Sequence, residues 1–102
     1  MSASDPEASI RLCVLLWARP GTEAALVRYE DRVLELMADH GARVVQRART
    51  DGANDAPLEI QILEYPSQTA LGGYLADERR TALAAEREAT VARTEILPVE
   101  LV

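Results

Sequence analysis

Apolar side chains fill nearly every position of Ile10-Arg11-Leu12-Cys13-Val14-Leu15-Leu16-Trp17-Ala18, and the run stops at Arg19-Pro20-Gly21, a turn signal. A strand with one wet face would alternate. Here Leu12, Val14 and Leu16 share one face and Cys13, Leu15 and Trp17 the other, so both faces need cover and the strand belongs inside a sheet. The period then changes. Leu26, Tyr29, Val33, Leu36 and Met37 recur at three- and four-residue steps, which predicts a helix with Arg28, Asp31, Arg32, Glu35 and Asp39 on its wet side. Thr22 is placed to cap it, Glu23 suits the positive helix end, and Gly41 after His40 suits a left-handed stop.

Arg43 to Thr50 reads as a second strand, with Arg43, Val45, Arg47 and Arg49 opposite Val44, Gln46 and Ala48. Such mixed polarity suits a sheet edge. Asp51 to Pro57 is loop by composition, and Leu58 to Tyr65 is a third strand needing cover on both sides. Pro66 ends that strand and Ser67 can cap a helix from Gln68, with Ala70, Leu71, Tyr74 and Leu75 as its apolar stripe and Gly72-Gly73 weakening it. Asp77 restarts a helical segment carrying Leu83, Ala84 and Arg87, while Arg79-Arg80 beside Asp77-Glu78 reads as a solvated helix start. Thr94 to Leu101 alternates as a last strand, and Pro98 assigns it to an edge.

The order is therefore β-α-β-β-α-β, an α+β fold of the ferredoxin-like kind, occupying residues 10–102 behind a short disordered tail at residues 1–9. Right-handed crossovers give a four-stranded antiparallel sheet with the first and third strands inside and both helices on one face. Leu63 and half of the first strand are then expected to lie uncovered. An apolar sheet face on so small a domain predicts a partner, and two such faces can close as a homodimer, a dimeric α/β barrel.

Composition removes several alternatives. With 102 residues there is room for one core, and no apolar run reaches the roughly 20 residues that cross a bilayer. A net charge of -6 argues against nucleic acid or a membrane surface as partner. All 11 basic residues are Arg, which excludes lysine Schiff-base and phosphate-loop chemistry. One Cys (Cys13) and one His (His40) allow neither an internal disulfide nor a structural zinc site, so no metal and no cofactor is expected. Cys13 reads as a buried, inert thiol. Without a basic residue before its apolar run the first segment is no signal peptide, and the expected location is the cytoplasm.

From the second strand onward the chain resembles the uncharacterised dimeric α/β-barrel proteins grouped as domain of unknown function thirteen-thirty. The residues that carry this are Gly41-Ala42-Arg43, Arg47, Glu64-Tyr65-Pro66-Ser67, Tyr74, Ala82-Leu83 and Arg87. Ala42 stands where the family has a second Gly, and Ala48-Arg49 where small glycines usually follow the second Arg, which changes charge and backbone freedom beside the candidate pocket. A small-molecule pocket is expected between sheet and helices, because Arg43, Arg47, Trp17, Tyr65 and His40 fall on elements that should border that space. The family's wider superfamily includes cofactor-independent monooxygenases and muconolactone isomerase-like and haem-degrading enzymes, and fold alone does not choose among these.

Topology sorts the candidate chemistry into two ends of the sheet. His40, Arg43 and Tyr65 meet at one end, where His40 has the pKa for proton transfer near neutrality and Arg43 could orient an anion. The plainer role of His40, ending a helix beside its negative pole, is the commoner one. At the other end Trp17 could wall a cavity and Arg47 fork a carboxylate, or Trp17 could pack in the core while Arg47 pairs with Glu59 across the hairpin. Tyr74 and Tyr29 read as core residues with tethered hydroxyls, and Tyr74 with Tyr65 could also bound a ligand. Two functions stay open: a binder or cofactor-free enzyme for a small organic acid or phenol, with His40 as base and Arg43, Arg47, Trp17, Tyr65 and Tyr74 on the ligand, or a non-catalytic dimerisation module.

Overall fold

In the computed structural model, which describes residues 8–102, the chain forms β1 (Ile10–Ala18), α1 (Glu23–Glu35), β2 (Arg43–Arg49), β3 (Glu59–Tyr65), α2 (Gln68–Leu75), α3 (Glu78–Thr81), α4 (Ala84–Thr90) and β4 (Val91–Pro98). Of the tail expected over residues 1–9, residues 1–7 lie outside the described part. The sheet order is β2-β3-β1-β4, antiparallel throughout, with the polar and Pro-bearing strands at the edges. All helices cover one face.

Local chemistry explains the boundaries. Ser67 accepts a hydrogen bond from the Ala70 amide at 3.0 Å and Asp77 one from the Arg79 amide at 2.9 Å, so both sites start helices as expected. Thr22 precedes α1 without capping it; its hydroxyl instead donates to the Arg19 carbonyl at 2.7 Å and closes the turn after β1. α1 tightens into a 3₁₀ turn over Leu36–His40 and stops at Gly41, whose φ of 71° only glycine adopts without strain. Gly73 has a packing role: a Cβ there would come within 3.2 Å of His40 Nδ1, so its bare backbone lets the turn after α1 approach α2. β4 runs about three residues earlier than its alternation suggested, from Val91 to Pro98.

Two expectations about the sheet faces are corrected. A register shift between Val44 and Gln46 breaks the alternation of β2, so Arg43 lies opposite Glu64 on one face while Arg47 and Arg49 lie opposite Gln61 and Glu59 on the other. Leu63 is not uncovered. It is 4% exposed beneath the helices, beside Val14, Leu16 and Tyr65, together with the polar Glu59 and Gln61 of its own strand. Ile60 and Ile62 turn the other way, toward Leu15 and Cys13, on the face without helices. Each sheet side needs cover, and alternation alone gives no sign of which side the helices take.

Candidate functional site

The space between sheet and helices is partly open. A cavity of about 900 Å³ lies there, within the size range of small-molecule sites (about 300–1,000 Å³). Leu12, Val14, Leu63 and Tyr65 form its floor, Tyr29, Glu30 and Val33 of α1 one wall, and Tyr74, Arg80 and Arg87 of the second helical block another. Its rim reaches the exposed residues Ile96, Pro98 and Glu100 at the β4 edge.

Three tyrosines converge on this space. The Tyr74 hydroxyl donates to the Val33 carbonyl at 3.0 Å, a tether between the two helical blocks, and its ring lies 5.9 Å from that of Tyr65. Burial pushes the Tyr74 phenol up to about 12 and raises those of Tyr65 and Tyr29, so all three remain neutral hydroxyls at physiological pH. Glu30 is 6% exposed and faces the same cavity. Its Oε1 accepts from Gln61 Nε2 at 2.8 Å, and burial raises the proton affinity of its carboxyl. Gln61 gives its second N–H to Glu59 Oε1, also at 2.8 Å, which fixes the amide orientation. Glu59 has no solvent exposure, and its charge is met by Arg47 and Arg49; Arg47 also reaches Asp31 at 2.7 Å.

The residues singled out from the sequence separate accordingly. Tyr65 and Tyr74 stand on the cavity wall. His40 lies behind Tyr74, ring centroids 6.0 Å apart and edge-on, with Nε2 2.8 Å from Asp77 Oδ2. The Arg79 guanidinium first, and His40 second, hold the Asp77 carboxyl well below the usual carboxylate range. An ionised carboxylate only accepts, so His40 Nε2 carries the proton. Arg47 pairs with Glu59 across the hairpin at the sheet edge, one of the two alternatives open for it. Arg43 bonds Glu64 at 2.9 Å on the face away from the helices. Trp17 is on that face too, its Nε1 donating to the Asp55 carbonyl at 2.9 Å and its ring covered by the Arg93 guanidinium 4.0 Å away. None of these four lines the large cavity; Trp17 borders a separate hollow of about 180 Å³.

Glu30, Gln61 and Arg80 were not singled out from the sequence. Glu30 sits four residues after Leu26 and three before Val33, on the apolar stripe itself, a placement that a charged residue seldom takes without a reason. Arg80 follows a surface residue, Arg79, which pairs with Asp77 and Asp39 in solvent; a single helical step of about 100° separates the two roles.

No family model and no curated protein matches the chain. Solved structures do. A Rhodopseudomonas palustris protein of unknown function is similar over 98% of this chain and 87% of its own, with a TM-score of 0.79 at 21% identity. A Caulobacter crescentus CB15 protein assigned provisionally to the antibiotic biosynthesis monooxygenases is similar over 95% and 92%, with a TM-score of 0.76 at 18% identity. A dimeric protein of unknown function from Bacteroides fragilis NCTC 9343, described as having a ferredoxin-like fold, is similar over 91% and 96%, with a TM-score of 0.66 at 15% identity. At these identities the likeness fixes the fold, which is ferredoxin-like, and leaves the chemistry to this chain's own residues.

Proposed function

We propose that this chain is a small-molecule-binding protein whose ligand occupies the cavity between sheet and helices. The observation that carries this reading is the cavity itself: about 900 Å³ with apolar walls and a few convergent polar groups, Glu30 and the hydroxyls of Tyr29, Tyr65 and Tyr74. A domain built only for dimerisation gains nothing from leaving such an apolar hollow open to solvent, where its lining stays unburied. Tyr65 and Tyr74 contact the ligand in this reading, and His40, fixed by Asp77, acts at one remove by supporting the Tyr74 ring.

Two copies pair through the open sheet face. Ile60, Ile62, Cys13 and Leu15 are only half-covered there, Leu97 is 49% exposed, and ion pairs of Arg43, Arg11 and Glu64 rim one end of the patch. Isologous contact of this face with its twin covers the patch and leaves the cavity on the outside of each sheet.

A second reading adds chemistry, and Glu30 favours it. A buried carboxylate with raised proton affinity, bordering a ligand space, is suited to accept a proton from an acidic C–H or O–H of a small organic acid or phenol. Such a step opens cofactor-independent isomerase- or monooxygenase-like reactions. The test is a thermal-shift screen with small aromatic acids, phenols and neutral controls, because a ligand of the native state raises the melting temperature by mass action. Concentration-dependent stabilisation supports the reading; a flat response across the whole set contradicts it.

A further inference from the structure

Carboxylates outnumber arginines in this chain, 17 to 11, and most of the arginines reach one. Arg80 reaches none among the described residues, although it lies in the helical block that also carries Glu78, Glu86 and Glu88. Its guanidinium turns inward over the Tyr74 ring, with Cζ 5.1 Å from the centroid, and lines the cavity. Its Nε is buried and has no hydrogen-bond partner. A buried N–H of a cation left unpaired is costly, and native structures seldom leave one without a function or a missing partner. Arg87 stands on the same wall and likewise reaches no carboxylate among the described residues; its hydrogen bond to Thr94 Oγ1 is long at 3.4 Å.

The acidic group nearest in kind, Glu30, faces the same cavity and does not close the gap. Gln61 holds its carboxyl, no ion pair joins it to Arg80, and the guanidinium only partly offsets from a distance the rise that burial gives its proton affinity. The cavity therefore has a cationic end, a phenolic and apolar body and, among the described residues, no carboxylate in ion-pair contact with the cation.

Resting on the ligand-binding reading above, we propose that the ligand is an organic monoanion, with its carboxylate-type group on Arg80, assisted by Arg87, and its apolar or aromatic body against Leu63, Tyr65 and Tyr74. A guanidinium presents paired N–H donors that match a carboxylate, and an arriving anion supplies the partner that Arg80 Nε lacks. The tyrosine rings give a flat body a stacking surface.

The test uses matched pairs that differ only in charge, benzoate with benzamide and 2-naphthoate with 2-naphthamide, titrated calorimetrically into the wild-type protein, R80Q, R80M and the surface control R28Q. The expected result is that each acid binds wild type and R28Q roughly tenfold or more tighter than its amide, the scale of a charge-assisted hydrogen bond, and that both Arg80 variants lose this preference while still binding the amides. Equal affinity for acid and amide, unchanged by R80Q, would overturn the anion assignment and leave the cavity reading standing. Binding of no member of either pair would overturn both. Because a variant can fail to fold, the Arg80 Nε–Hε resonance of the wild-type protein is followed as well: it should move on adding 2-naphthoate and stay in place with the amide, and the reverse would refute the assignment.

Discussion

The two faces of the sheet are built from opposite materials. Under the helices the row across the strands runs Arg49, Glu59, Leu16, Thr94 and the next Arg47, Gln61, Val14, Ile96, so the shielded side is ionic toward β2 and apolar toward β4. On the side without helices the rows are Gln46, Ile62, Cys13, Leu97 and Ala48, Ile60, Leu15, Glu95, with the grease in the middle. The difference teaches what each face is for. The covered face spends polar groups to hold a hollow open: Gln61 joins Glu30 to Glu59, and the ion pairs at the edge pin α1 to β2 through Asp31. The open face confines its ion pairs to one end, where Glu64 meets Arg11 and Arg43, and leaves its apolar middle half-covered.

The covered face should be the more fragile. Glu59→Ala removes the counter-charge that Arg47 and Arg49 share, leaving Arg47 with Asp31 alone and Gln61 with one acceptor fewer, and loss of about 1–3 kcal/mol in urea unfolding is expected. A loss below 1 kcal/mol would show that the ionic row is ornamental. On the open face, Ile62→Asp should leave the monomer fold intact by circular dichroism and shift sedimentation from dimer to monomer, raising the dimer dissociation constant by roughly 30-fold or more, the scale of an interface hot spot. If the wild-type protein already sediments as a monomer at micromolar concentration, the pairing of open faces is wrong.

Smaller effects sharpen the cavity side. Tyr74→Phe removes the tether to Val33 and should cost about 1 kcal/mol, and it should weaken ligand binding without abolishing it. Glu30 gives the smallest change and a signed one. Its proton affinity is raised on folding, so the native state keeps the proton to higher pH than the unfolded chain, and stability falls as pH rises through the carboxylate range toward the raised value. Glu30→Gln removes that loss. Its melting temperature relative to wild type should therefore rise as pH climbs from the ordinary carboxylate range toward neutrality. A gain that shrinks with pH would contradict the assigned direction.

Much of this was legible in the sequence, for identifiable reasons. The unbroken run of β1 marks a central strand, the three- and four-residue steps from Leu26 to Met37 mark α1, and Ser67 and Asp77 announce their helices by capping chemistry. What stayed hidden depends on tertiary choice. In β3 both alternating sets are candidates for the core, and the winning set contains Glu59 and Gln61 because β2 and α1 supply partners that no local pattern reveals. The shift after Val44 is equally silent, and it divides Arg43 from Arg47. In the site, Tyr65 and Tyr74 were within reach of the sequence, whereas Arg80 was masked by its neighbour: Arg79-Arg80 reads as one solvated pair, and only the helix phase separates a surface ion pair from a cavity cation.

The most direct measurement of the central claim is a methyl NMR titration of the wild-type protein with 2-naphthoate. Saturating shifts are expected for Leu12, Val14 and Leu63, whose side chains floor the cavity, and silence from Ile60, Ile62 and Leu15 on the opposite face. Shifts confined to Ile60, Ile62 and Leu15, with the cavity methyls unmoved, would contradict that claim.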